Sequence, residues 1–211
     1  MRMLMLLWKD YRLNRVVLPA GVLLILAPYL LIGRGLSGAW GTSAYLAQFT
    51  VALIAGNVIA CERADRSAEF LAYQGATRAM ATASKMILCA MVYAAVCLVT
   101  FVTSLWLPET GLRIPGGYYH SWNDQLRAAA TGLGFFGCGW LFSSFLTSPV
   151  LAVTLGCAVP LSALGVLSIS ARATGWPDDF VFGAWHVAIC SGVGVLALVA
   201  GTWHYLRSRE S

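Results

Sequence analysis

The sequence predicts an all-α, polytopic integral membrane protein with six transmembrane helices. Three observations lead there. First, 59% of the 211 residues are hydrophobic and only 11% are charged, with a mean hydropathy of +0.73. Soluble domains carry about 25% charged residues. Second, the apolar residues come in long blocks of membrane-spanning length. Third, the charges gather between those blocks, above all in Cys61–Lys85, which holds Glu62, Arg63, Asp65, Arg66, Glu69, Arg78 and Lys85. Such a charged island cannot sit in hydrocarbon and must stand in water at a membrane face.

Residues 1–15 come first. Leu4, Leu7, Trp8 and Tyr11 share one helical face, with Arg2, Lys9 and Arg12 on the other side. This pattern predicts an amphipathic helix lying flat on the membrane. Leu6 and Leu13 break it by falling on the polar side. Span one covers about 16–33, and eighteen residues at ~1.5 Å each reach roughly 27 Å, enough for the hydrocarbon core. Its mixed-charge lead, including Asp10, and its length mark it as a retained helix rather than a signal peptide. A glycine-rich linker, 34–39, turns the chain into span two, about 40–60, which carries Gln48 and Asn57. Within the island, residues 62–73 have helix-forming composition, Gly75 breaks the run, and 76–85 form a second short helix. Span three follows at about 86–107. The loop 108–124 bears boundary aromatics, Tyr118, Tyr119 and Trp122. Spans four and five, about 126–147 and 149–169, are joined by almost nothing. A loop at 170–180 leads to span six, about 181–206. All of it reads as a single transmembrane domain, 1–211.

Charge sets the orientation. Of the fourteen Lys and Arg, Arg2, Lys9, Arg12, Arg15, Arg63, Arg66, Arg78, Lys85, Arg207 and Arg209 fall on one side, and Arg34, Arg113, Arg127 and Arg172 on the other. The richer side is expected to face the cytoplasm, with both termini there, in the cell (inner) membrane. The net charge of +5 is thereby explained by topology. No basic cluster with interleaved aromatics points to nucleic acid.

Gly132, Gly134 and Gly137 spell GxGxxG, but inside an apolar block, where a dinucleotide turn has no strand to follow. With Gly139 they are expected to let another helix backbone approach, and Ala197 and Gly201 form a weaker pair of the same kind. His186 and His204, each beside a tryptophan near an end of span six, read as interface anchors. The six cysteines form no CxxC and read as small core residues. Asn57 is expected to pair between helices. No catalytic constellation and no P-loop GxxxxGK[ST] occurs in the sequence, and no span holds an Asp or Glu to relay protons. Energy for any transport must therefore reach the spans from outside them, and the chain is not expected to be an enzyme by itself.

Glu62-Arg63, Glu69-Phe70-Leu71, Thr77-Arg78 and Lys85 together resemble the cytoplasmic segment between spans two and three of type-2 permeases of ATP-binding-cassette (ABC) transporters. Trp8-Lys9-Asp10-Tyr11-Arg12 looks like that family's entry helix, and Gly75 stands near where the family usually has proline. The resemblance implies the membrane-spanning subunit of an ABC exporter. It further implies a cytoplasmic ABC ATPase subunit that holds the ATP, so that no cofactor is bound by this chain, and a second permease subunit, identical or not. The segment 61–85 would dock the ATPase, with Glu62, Arg63, Glu69, Leu71, Arg78 and Lys85 as coupling residues. Aromatics along the spans suit a hydrophobic or amphipathic substrate, and membrane lipids are a further partner. The alternative is a non-transporting scaffold or assembly factor that holds a soluble partner on the same island.

Overall fold

The structure is a computed structural model in which residues 2–15, 17–32, 40–64, 77–106, 122–175 and 181–207 are described. Among them every regular element is helical: α1 (Arg2–Leu13), α2 (Val17–Ile32), α3 (Trp40–Val58), α4 (Ala60–Ala64), α5 (Arg78–Trp106), α6 (Trp122–Phe145), α7 (Pro149–Thr174), one π-helical turn (Val181–Trp185) and α8 (His186–Arg207). Within α5, α6, α7 and the stretch from the π turn through α8 are helices long and apolar enough to cross a membrane. The expected linker 34–39, the break at Gly75 and most of the polar loop 108–124 lie outside the described residues.

Sequence chemistry explains the helix ends. Thr77 accepts a hydrogen bond from the Met80 amide through its hydroxyl and starts α5. The expected short helix 76–85 and span three are therefore one continuous helix: from Arg78 to Trp106 nothing breaks the ladder. Ser148 caps α7 in the same way, with Pro149 in the first turn, and Gly175 ends it at φ 64°, a left-handed conformation suited to glycine. The helix runs five residues past the expected end at 169, because 170–174 simply extend it. Leu146 to Ser148 form the tight connection between α6 and α7.

α6 is the centre of the bundle, packed against α8, α3 and α7. Its membrane-length stretch is 67% buried, against 17% for α7. Glycine is the reason. A side chain at Gly137 would collide with the Gly194 carbonyl of α8, and one at Gly139 would lie 3.1 Å from both the Ala52 carbonyl oxygen and the Gly56 amide of α3. Gly156 of α7 packs on Gly139, and Gly201 of α8 packs on Trp140 and Leu141. Cys190, Gly194, Ala197 and Gly201 form the buried face of α8. With no hydrophobic drive between helices in lipid, close backbone approach of this kind holds them together by dispersion.

The polar and apolar residues are distributed for a lipid solvent. Gln48, Thr50, Ser84, Thr131, Ser143 and Ser144 are buried, while Val150, Ile169, Leu196 and Val199 are exposed on the outer surface. Aromatics divide. Phe135, Phe136 and Trp140 are core, with Phe49 edge-on to Phe135, whereas Phe101 and Phe145 face outward. An apolar cleft of about 350 Å³ lies between α5 and α6, lined by Cys97, Thr100, Phe101, Gln125, Leu126 and Ala129.

Candidate functional site: a buried ionic knot at one end of the bundle

The C-terminal ends of α3 and α8 and the N-terminal part of α5 meet α1 at one end of the bundle, and four charged side chains converge there. The break between α3 and α4 is what turns Glu62 inward. The amides of Ile59 and Ala60 leave the helical ladder and donate to one acceptor, the Ser143 hydroxyl of α6, at 3.0 and 2.9 Å. Glu62 then points into the protein and is 1% exposed.

Its carboxylate takes the Lys85 ammonium of α5 at 2.7 Å on Oε2 and the Lys9 ammonium of α1 at 2.7 Å on Oε1. Lys85, fully buried, also reaches Asp10 of α1 at 3.0 Å. The other Asp10 oxygen accepts from the Ser84 hydroxyl at 2.5 Å. The Tyr205 hydroxyl of α8 donates to Glu62 at 3.5 Å. One turn beyond, Asn14 donates to the Asp10 carbonyl and accepts from Asn57 of α3 at 2.8 Å. Two cations therefore face two anions, and the knot is formally neutral. Buried charges persist only when paired and hydrogen-bonded in this way.

Burial alone would push the Glu62 carboxyl up. The Lys85 and Lys9 ammonium groups outweigh that and hold it below its ordinary value of 4.5. A lowered carboxylate pKa means that the folded state binds its proton more weakly than the unfolded chain. The stabilisation is then complete above about 4.5 and is lost as the pH falls from there through the depressed folded value. We expect thermal stability in detergent to drop on acidification across that window. Glu62→Gln should flatten this part of the profile, and an unchanged acid limb in that variant would count against the knot.

The residues singled out from sequence fare differently. Glu62 and Lys85 face each other rather than solvent. The Arg63 guanidinium lies 5.8 Å from the centre of the Tyr205 ring. Arg78 is exposed at the first position of α5, and its carbonyl accepts from Thr82. Glu69 and Leu71 lie outside the described residues. Asn14, Ser84, Ser143 and Tyr205 were not singled out, and Asp10 was named only in the lead to span one and the entry helix. The spacing of Asp10 and Asn14, four apart on the side away from Trp8, was the available signal. Ser143 offered none, since a serine in an apolar helix has many ordinary uses.

One histidine needs a correction. His186 is buried and hydrogen-bonds Thr131 of α6 at 2.8 Å, so it joins helices instead of anchoring an interface. His204 stacks on Phe145 at 3.8 Å between ring centres. Their tryptophan neighbours, Trp185 and Trp203, are the exposed residues, and Arg207 covers Trp203 at 3.6 Å. Asn57 pairs between elements as expected. Gln48 does not, for neither of its amide atoms has a hydrogen-bond partner among the described residues. Among the described residues the cysteines form no disulfide, and Cys89, Cys138 and Cys190 are buried.

Fold and site together define a helical protein with, among the described residues, four helices long and apolar enough to cross a membrane, and with an ionic cluster tying its first helix to the ends of three others. No family model, curated protein or solved structure matches the chain.

Proposed function

We propose that the chain is the membrane-spanning permease subunit of an ABC exporter. In this reading α2 and α3 are the first two of six spans and both termini are cytoplasmic. Residues 61–85 seat a separate ATPase subunit, and a second permease subunit completes the path for a hydrophobic or amphipathic substrate.

The observation that carries the reading is the knot. Residues 65–76 connect α4 to Thr77 and α5, and the two residues that bracket this connection, Glu62 and Lys85, are locked to each other and to α1. A displacement imposed on 65–76 by a closing ATPase is delivered at its two ends to Glu62 and Lys85, which the knot ties together. It passes as rigid motion into α1, α3, α5 and, through Tyr205, α8. Arg63 and Arg78 flank the connection, while Glu62 and Lys85 transmit the motion from beneath. The ATP itself is bound elsewhere, since the sequence has no phosphate-binding loop.

Deleting residues 65–74 tests this and leaves the knot intact. We expect the variant to insert in the membrane and to lose co-purification with an ATPase in mild detergent. An ATPase that still co-purifies would remove this segment as the docking element. Reconstitution that gives no partner-dependent ATP hydrolysis would favour the scaffold.

A further inference from the structure

We infer that α1 is a lipid-sensing lever. Its outward face binds anionic headgroups, and its inward face reports that binding to α4 and α5. The inference rests on the membrane reading and on the ionic knot, and it names a partner for the outer side of that knot.

α1 is amphipathic with its faces reversed relative to a soluble helix. Leu4, Met5, Trp8 and Tyr11 are exposed, at 71, 60, 64 and 47%. Trp8 and Tyr11 stack at 5.5 Å, giving a flat aromatic ridge. Leu6, Asp10 and Asn14 occupy the opposite side and are buried, Leu6 against Ala81 and Met80 of α5. Arg12 and Arg15 are exposed beside the ridge. The only acidic residue of α1, Asp10, is turned inward and neutralised by Lys85. The outward face is therefore apolar, aromatic and purely cationic.

Charge decides the occupant. A soluble acidic protein would meet a ridge too apolar to stay wet, and a second copy of the same face would set arginine against arginine. A leaflet rich in anionic lipid satisfies both halves: ring and aliphatic side chains enter the acyl boundary while the guanidinium groups pair with phosphates. Because Lys9 and Asp10 hold Glu62 and Lys85, seating α1 on such a leaflet fixes α4 and the start of α5 as well.

The test uses the full chain in nanodiscs of phosphatidylcholine alone or with about 30% phosphatidylglycerol. Hydrogen exchange is followed at the amides of 2–13 and 60–64. Anionic lipid should slow exchange in α1 by roughly tenfold or more, as two arginines at a charged surface imply, with 60–64 following. Raising salt to about 1 M should erase the difference. Arg12→Gln with Arg15→Gln should remove the lipid response of both segments. Asp10→Asn should keep it in α1 and weaken it in 60–64. Equal exchange in the two lipids overturns the inference, as does protection that follows protein concentration instead of lipid charge. No ATPase enters the experiment, so the lever and the exporter can fail separately.

Discussion

Replacing Lys85 by alanine is expected to destabilise the protein by about 3–5 kcal/mol, the cost of breaking a buried ion pair from one side. Lys85 is the hub of the knot, within 3.0 Å of Asp10 and 2.7 Å of Glu62. Without it Asp10 keeps the Ser84 hydroxyl but loses its cation, and Glu62 keeps the Tyr205 hydroxyl and the Lys9 ammonium, which is partly exposed. Two carboxylates then share a buried space with one ammonium group at its edge. We expect a lower unfolding temperature in detergent and cleavage of α1 by a protease that spares it in the parent protein. The triple variant Asp10→Asn, Glu62→Gln, Lys85→Met removes the three buried charges together and leaves only the partly exposed Lys9. It should recover most of the stability, because the desolvation cost disappears with the attraction. If the proposed function is right, that variant folds yet loses stimulation by the ATPase. A Lys85→Ala protein that melts with the parent and keeps α1 protected would mean that the knot does not form.

Gly137→Leu is expected to do still more damage, by a different route. The obstruction is the Gly194 carbonyl, which belongs to the backbone of α8 and cannot rotate away as a side chain would. Even alanine there should cost about 1–3 kcal/mol, the usual range for overpacking, and leucine should force α8 off α6 altogether. Loss of that contact also unmakes the Trp140–Thr202 and Thr131–His186 hydrogen bonds, which join the same two helices. The expected result is aggregated or degraded protein, read by size-exclusion chromatography after solubilisation. Gly165→Ala is the control: nothing lies within 4 Å of a side chain placed there. Its effect should be small, since alanine is the better helix former. Equal behaviour of the two variants would show that α6 and α8 do not pack through glycine.

The helical layout was legible because each signal was local. Block length and hydropathy mark the apolar helices, and the tight join at Leu146–Ser148 follows from Ser148-Pro149. Glycine spacing in α6 announced close packing, and the exposure of Leu4, Trp8 and Tyr11 follows the periodicity of α1. Helix ends were less legible. Whether residues 78–85 are a separate helix or the first turns of α5 depends on what they pack against, and α1 supplies that support.

Composition and periodicity alone thus determined that this chain is helical and suited to a membrane, and that its charges concentrate beside α4 and α5. Both follow from the cost of moving polar groups into hydrocarbon, which acts on each segment separately. Only the tertiary structure decided that Glu62 and Lys85 are partners for each other and for α1, across separations of 23 and more residues along the chain. A long-range ion pair leaves no periodic trace in a single sequence. It exists because the Ser143 hydroxyl bends α3 into α4 and aims one carboxylate at a lysine that has no water to turn to.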